Sequence, residues 1–380
     1  MRDKHYSIMV SAGEASSDMH AAHAINALSE RGVQFDCFGM GANQLQAAGM
    51  ELTLDCRELA VIGIVDVLIN YPRFMRRLAT LRETLSTRKP DLLIIVDYPD
   101  FNLKLAETAK ALGIPVLFYI SPQIWAWRKK RINRIGSLVS HMAVLFPFEV
   151  DVYQEANIPV TYVGHPLVDD AHSAFTPVQA REQFDIAPDK TLVALLPGSR
   201  NGELKRNLPV MLETAATLTK QYPDMAFVLP VAPTLNISTV NQYLSECAVQ
   251  VKTVPAQSYD VMRAADAVLT ASGTATLETA MLGTPMVVMY VVNPVNYTIM
   301  KRLIKIDNIG LVNIVAGKRI CQEFIQDEAS ASNLATELEK CLFDSDYRQT
   351  MQSELQVVKH KMGEGGASKK VATLIHSLLS

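Results

Sequence analysis

Long apolar runs are missing from this sequence. No stretch approaches the roughly 18–20 residues that a membrane-spanning helix needs, so no transmembrane anchor is expected. Cysteine is scarce and scattered: Cys37, Cys56, Cys247, Cys321 and Cys341 form no CxxC pair and no Cys/His cluster, which excludes a disulfide framework and a zinc site. No charge of one sign dominates. The 36 Lys and Arg against 39 Asp and Glu leave a net charge of −3, which argues against nucleic acid as a partner. The common nucleotide fingerprints are absent too: there is no Walker A sequence, and Gly39-Met40-Gly41 lacks the third glycine of GxGxxG. No carboxylate cluster reads as a divalent-metal site, so neither metal nor cofactor is expected. The N-terminus, MRDKHYSIMVSAGE, has no signal-peptide apolar region and runs straight into a strand. A cytoplasmic protein able to touch a membrane surface is the expectation.

What is present is a regular alternation. The 380 residues suit two domains, and 49% hydrophobic with 20% charged residues suits ordinary folded cores. Compact apolar runs at 7–12, 92–97, 116–121, 142–146 and 160–164 read as strands with helices between them. After GHPLVD (164–169) the pattern relaxes into AHSAFTPVQ, the best linker. A second series follows at 191–198, 225–231, 249–254, 267–272 and 285–291, and the tail from about 330 reads as helices alone. The fold class is therefore α/β, with two Rossmann-like parallel sheets and C-terminal helices. Ligands of open α/β sheets bind outside the carboxyl ends of the strands, so the site is expected where two sets of strand ends face each other across a cleft.

The strand ends carry the chemistry. In the first half, Gly13 permits a tight turn, Glu14 closes a strand towards the cleft, and Ser16, Ser17 and Asp18 are suited to cap the next helix. Asp97 closes the apolar strand LLIIV, where partial desolvation raises a carboxylate towards use as a base. Asp100, three residues on, is the alternative, and position favours Asp97. Ser121 opens the loop SPQIWAWR, which holds both tryptophans; Trp125 offers a flat apolar face. His165 follows the last strand of this half. In the second half, Gly198, Ser199 and Arg200 follow a strand, and a guanidinium suits a phosphate. A strand also runs into Ser272, Gly273 and Thr274, whose free amides at a helix start suit a diphosphate. Glu278 shares that helix face one turn on, within reach of a ribose diol. Nucleotide binding without the usual glycine fingerprints points to a nucleotide-sugar enzyme.

Taken together, GEASSD, ELAVIGIVDVL, DYPDFN, SPQIWAWR, FPFE, GHPLVD, LLPGSR, SGTATLE and NIVAGKR resemble the lipid-A-disaccharide synthase family, in family order over about residues 11–320. The resemblance implies a GT-B fold and an inverting, metal-independent glycosyltransferase. Its donor would be UDP-2,3-diacylglucosamine and its acceptor 2,3-diacylglucosamine 1-phosphate (lipid X). It implies peripheral contact with the cytoplasmic face of the inner membrane and admits a homodimer with swapped C-terminal segments. By the same resemblance the base falls on Asp97, a motif arginine on Arg200, a loop asparagine on Asn313, and a ribose-facing glutamate on Glu278. Two positions depart from the family pattern: Ser17 stands where a glycine is usual, and is strained if that position needs positive φ. Val312 replaces a proline and would soften the loop before Asn313. The expected domains are 1–168 (acceptor and membrane), 169–345 (UDP-sugar), and a helical tail, 346–380, packing on the first domain or on a partner chain.

Acyl chains need an apolar surface. In 58–82, Ile64, Leu68, Tyr71 and Met75 recur at helical spacing and Val65, Val67, Ile69 and Phe74 widen the face. Arg73, Arg76 and Arg77 lie alongside, and Pro72 is expected to kink the helix. Pattern alone favours an ordinary core helix; the resemblance reverses that in favour of acyl or membrane contact. Rival readings are a nucleotide-sugar epimerase of the same fold, a non-catalytic lipid- or nucleotide-binding protein and, more distantly, an NAD-dependent oxidoreductase, which the missing glycine fingerprint disfavours.

Overall fold

A computed structural model describes residues 4–59, 64–122, 131–293 and 308–380; of Ala15, Glu58, Leu59 and 64–70 it describes the backbone alone. The chain forms two compact units, one of Met1–Pro166 with Glu364–Ser380, the other of Leu167–Gly363. The expected tail is thus divided. The helix Ser345–Lys361 belongs to the second unit, and the helix Ala367–Leu379 packs against the helix Ala15–Glu30 of the first.

The first unit holds seven parallel strands: β1 His5–Ala12, β2 Gln34–Gly41, β3 Glu51–Asp55, β4 Leu92–Val96, β5 Val116–Tyr119, β6 His141–Val144 and β7 Val160–Tyr162. Their order is β3-β2-β1-β4-β5-β6-β7. β4 and β5 are buried along their whole length, because helices cover both faces of a parallel sheet; hence their unbroken apolar sequences. The second unit holds six: β8 Leu192–Leu196, β9 Ala226–Val231, β10 Val251–Pro255, β11 Ala267–Ala271, β12 Met286–Tyr290 and β13 Glu323–Ile325, ordered β10-β9-β8-β11-β12-β13. In both sheets the order reverses beside the first strand of the unit, between β1 and β4 and between β8 and β11. Such a switch point leaves a crevice at the strand ends, because the connections leave in opposite directions.

The helix Ile64–Arg88 runs unbroken through Pro72. Its C-terminal half buries Leu78, Leu81 and Leu85 in the core of the first unit. No helix among the described residues is long and apolar enough to cross a membrane.

Candidate functional site

At the β1/β4 switch point two strand ends meet. Gly13 follows β1, and its φ lies outside the left-handed region; the residue is required by space instead. A Cβ built there would lie 2.5 Å from Cδ1 of the Tyr98 ring. Glu14 occupies the N-cap of the helix Ala15–Glu30 and is exposed. The serines do not cap this helix as expected. Ser16 lies exposed in its first turn, and Ser17 is buried within the helix without positive φ, so it carries no strain. Asp18 is buried and caps a different helix: its carboxylate accepts from the amides of Ala42 (2.6 Å), Gln44 (2.9 Å) and Leu45 (3.3 Å) at the start of Asn43–Ala47.

After β4 the chain leaves the sheet abruptly. Asp97 (φ 47°) and Tyr98 (φ 48°) are both left-handed, and Tyr98 caps the helix Pro99–Ala111. Aspartate tolerates this conformation and tyrosine does so at a cost; strained residues of this kind gather at working sites. Asp97 is partly buried. Desolvation first, and the Glu14 carboxylate second, push its pKa up to about 6, against a hydrogen bond from the Tyr98 amide that favours the anion. Asp100 is exposed at the helix start and paired with Arg131. The two carboxylates of DYPDFN thus differ in kind: Asp97 is partly buried with a raised pKa, and Asp100 is exposed and ion-paired.

The neighbouring strand end is strained too: Ile120, β-branched, has φ 67°. Ser121 follows it, but its hydroxyl is turned inward, 2.7 Å from the Tyr153 hydroxyl and 3.0 Å from the Pro122 carbonyl, so it anchors the loop rather than presenting a ligand. Trp125 lies outside the described residues. His165 is buried against Phe146, ring centroids 5.2 Å apart. Burial and then His20 lower its pKa to about 3, and burial and His23 lower that of His20 to about 4, so both are neutral imidazoles at physiological pH.

In the second unit the expected phosphate loop has an occupant. Glu203 Oε2 accepts from the amides of Ser199 (3.1 Å) and Arg200 (3.3 Å), and its Oε1 lies 3.3 Å from Arg200 NH1. The amides of Ser199 and Arg200 are therefore spent as a helix cap for Asn201–Gln221. The Arg200 guanidinium, half exposed, sits at the strand ends with Arg206 and Tyr290. Ser272 is committed as well: its amide donates to Met289 (2.9 Å) and its hydroxyl to the Ile309 carbonyl (3.0 Å). Gly273 caps the helix Thr274–Leu282 with φ 156° and ψ −160°, a region essentially reserved for glycine, and the space where a side chain would stand is open. The first amides of a helix have no acceptor within it; here the Thr276 amide donates to the Gly273 carbonyl (3.2 Å), and Thr274 is exposed. Glu278, one turn on, is partly buried; desolvation outweighs a hydrogen bond from the Tyr259 hydroxyl and pushes its pKa up to about 7.

Asn313 does not present its side chain to a ligand. Fully buried, its Nδ2 donates to the Cys321 carbonyl (2.7 Å) and Glu323 (2.7 Å), and its Oδ1 accepts from the amides of Ile320 (2.8 Å) and Cys321 (3.0 Å). It ties the loop that Glu323 also holds through the amides of Ile309 and Gly310. Val312 does not slacken this loop, since its amide, which proline would lack, donates to Thr276 Oγ1 (3.3 Å).

On the segment expected to take acyl chains, Tyr71 is 47% exposed, while Phe74 and Met75 pack partly on the core; Phe74 sits edge-on to Phe101 at 5.0 Å. Lys104 Nζ lies 5.7 Å from the Tyr71 ring centroid. The side chains of Ile64, Val65, Val67, Leu68 and Ile69 lie outside the described residues. Sequence reasoning passed over Asn102, Glu203 and Tyr259. Their signal was faint: a buried asparagine inside DYPDFN, and a glutamate three residues after a cap position.

Comparison with known proteins matches residues 8–375 to the family described as lipid-A-disaccharide synthetase. The lipid-A-disaccharide synthase of Geobacter sulfurreducens is 44% identical over 372 residues, covering 98% of this chain and 97% of that protein. The one from Nitrosococcus oceani is 44% identical over 374 residues, covering 98% and 96%. Among solved structures, the UDP-GlcNAc 2-epimerase of Neisseria meningitidis bound to UDP-GlcNAc has a TM-score of 0.65 at 16% identity, covering 99% of each chain. That likeness shows the fold alone, the GT-B type.

Proposed function

As the chain belongs to the lipid-A-disaccharide synthetase family, and is thus a glycosyltransferase of lipid A biosynthesis, we propose that it condenses UDP-2,3-diacylglucosamine with 2,3-diacylglucosamine 1-phosphate. The products are UDP and the β-1,6-linked lipid A disaccharide 1-phosphate, formed with inversion at the donor's anomeric carbon. The observation that carries this reading is Asp97: a carboxylate at a switch-point strand end, in a strained turn, with its pKa pushed up to about 6 by burial and Glu14.

In this mechanism the acceptor hydroxyl attacks the anomeric carbon from the face opposite UDP as the Asp97 carboxylate takes its proton. The C–O bond to the diphosphate breaks, and the negative charge passes to UDP. Arg200 and the first amides of the helix Thr274–Leu282 stabilise that charge, a role served by preorganised donors in water-poor sites. Arg200 must loosen its contact with Glu203 to do so. An exposed ion pair of this kind contributes only about 0–1 kcal/mol, so a diphosphate displaces it readily. Glu278 accepts from the ribose hydroxyls. Glu14 and Ser16 of the first unit, and Gly273 and Thr274 of the second, each contact substrate. His165 and Ser121 in the first unit, and Ser199, Ser272 and Asn313 in the second, shape the surroundings of these residues through their backbone and packing.

Exposed Tyr71, with the apolar segment 64–75 and Arg73, Arg76 and Arg77 in and beside it, serves as the peripheral contact with the cytoplasmic face of the inner membrane and as the acyl dock. Product analysis tests the assignment. Incubation with both lipid substrates should yield disaccharide and UDP in equal amounts. Epimerisation of UDP-GlcNAc offered alone, with no disaccharide from the lipid pair, would overturn it.

A further inference from the structure

Asn102 stands fully buried in the first turn of the helix Pro99–Ala111, and its side chain reaches back into the sheet. Its Oδ1 accepts from Ser11 Oγ at 2.6 Å. Its Nδ2 is shared among three carbonyls: Ser11 (3.2 Å), Val96 (3.2 Å) and, nearest, Asp97 (2.8 Å). Ser11 belongs to β1 and Val96 to β4, so one amide joins the two strands where the sheet order reverses.

The shortest of the three bonds falls on Asp97, the first residue beyond β4. Asp97 and Tyr98 are consecutive left-handed residues, and such conformations cost about 1–3 kcal/mol each and persist only where the surroundings over-determine them. Around this turn several features do that: the Asn102 side-chain amide beneath it, the Tyr98 ring seated against Gly13, the Asp97 amide donating to the Tyr119 carbonyl (3.1 Å), and the Tyr98 carbonyl accepting from the amides of Phe101 (3.2 Å) and Asn102 (3.0 Å).

We propose that Asn102 is a positioning residue for the transfer reaction, its amide holding the Asp97–Tyr98 turn left-handed and so aiming the Asp97 carboxylate off the end of β4 beside Glu14. The proposal rests on the reading of Asp97 as base. The groups facing that carboxylate are Glu14, from the loop after β1, and the Tyr98 amide on its own turn; the Tyr98 phenol senses Glu14 and Asp100, and Asp100 is held by Arg131. Released from the amide, the turn relaxes towards common backbone angles. The carboxylate then swings away from Glu14 and gains water, losing both its aim and its raised pKa.

The test compares Asn102→Ala and the milder Ser11→Ala, which removes only the 2.6 Å bond, in the full chain. Asn102→Ala should lower kcat on the order of 100-fold with KM for the UDP-sugar changed less than about 2-fold, as expected for misplacement of a reacting group. The acidic limb of its pH–rate profile should move from about 6 towards the ordinary carboxylate range, and Ser11→Ala should move it the same way by less. Asp97 is titrated independently, from the pH-dependent difference in β4 amide exchange between chains with Asp97 and with Asp97→Asn, each with and without Asn102. A titration that stays near 6 without the amide, with kcat unchanged, overturns the proposal. A titration that falls while kcat holds supports the clamp and removes Asp97 from its role as base. Should Asn102→Ala fail to fold, Ser11→Ala decides: an unmoved acidic limb refutes the clamp.

Discussion

Replacing Asp97 with Asn should stabilise the first unit while lowering turnover on the order of 100-fold or more. The carboxylate pKa rises from 3.8 to about 6 on folding. The folded state therefore binds more protons than the unfolded chain between those values, and stability falls as pH climbs through that window. At 1.36 kcal/mol per unit, the full shift corresponds to about 3 kcal/mol of destabilisation above pH 6. Asparagine carries no charge to desolvate and keeps an oxygen to accept from the Tyr98 amide. Burial of its NH2 group returns about 1–2 kcal/mol, leaving a net gain of about 1–2 kcal/mol at pH 8. Linkage gives the shape as well: the advantage of Asp97→Asn should grow by about 1.4 kcal/mol between pH 5 and pH 8. Two units need not unfold together, so the assay is amide exchange of the β4 residues Leu92–Val96, read at matched pH in both proteins. Stability gained where activity is lost is the mark of a group held against its own preference. An Asp97→Asn chain less stable at pH 8, or one whose advantage does not change with pH, would refute the argument.

Glu278→Gln should behave in the same way in the second unit. The glutamate pKa rises from 4.5 to about 7, so its cost appears as pH rises through that range; above it the variant should gain up to about 3 kcal/mol in β11 amide exchange, while KM for the UDP-sugar rises. His165 shows the opposite sign. Its pKa falls from 6.5 to about 3, the unfolded chain binds the proton first, and stability present above pH 6.5 is lost as pH falls; His165→Asn should flatten that acid-side slope in urea titrations of the first unit. Gly13→Ala places a Cβ 2.5 Å from the Tyr98 ring, which must shift; a loss of about 1–3 kcal/mol and a lowered kcat are expected, measured by denaturation and turnover. Arg200→Ala should lower kcat on the order of 100-fold and leave stability within about 1 kcal/mol, because its partner contact with Glu203 is exposed.

Much of the fold was legible in the sequence because fully buried parallel strands are written as unbroken apolar runs. LLIIV and LVALL are strands β4 and β8, and each ends at a candidate site residue or loop. Three strands escaped. Gln34–Gly41 carries two glycines and an exposed, polar start; Glu51–Asp55 is an edge strand with no fully buried residue; Glu323–Ile325 has three residues and begins with a buried glutamate. The position of Asp97 was readable from the end of an apolar run, but its left-handed backbone was not. That conformation is enforced by Ser11 and Asn102, 91 residues apart in sequence, and no local pattern encodes such a contact. Likewise, GSR and SGT fall at strand-to-helix turns in the second unit. Which of their donors were already paired depended on Glu203 and on the Met289 and Ile309 carbonyls, which only the folded chain brings near.

The central claim is that Asp97 takes the acceptor hydroxyl's proton as the donor's anomeric carbon passes from UDP to that oxygen. It is met most directly by measuring disaccharide formation by wild-type and Asp97→Asn chains, both saturated with UDP-2,3-diacylglucosamine and lipid X, alongside their affinity for UDP. Turnover should fall on the order of 100-fold or more while UDP affinity stays within about 2-fold, as general-base loss predicts. Disaccharide formed by Asp97→Asn at near the wild-type rate would contradict it.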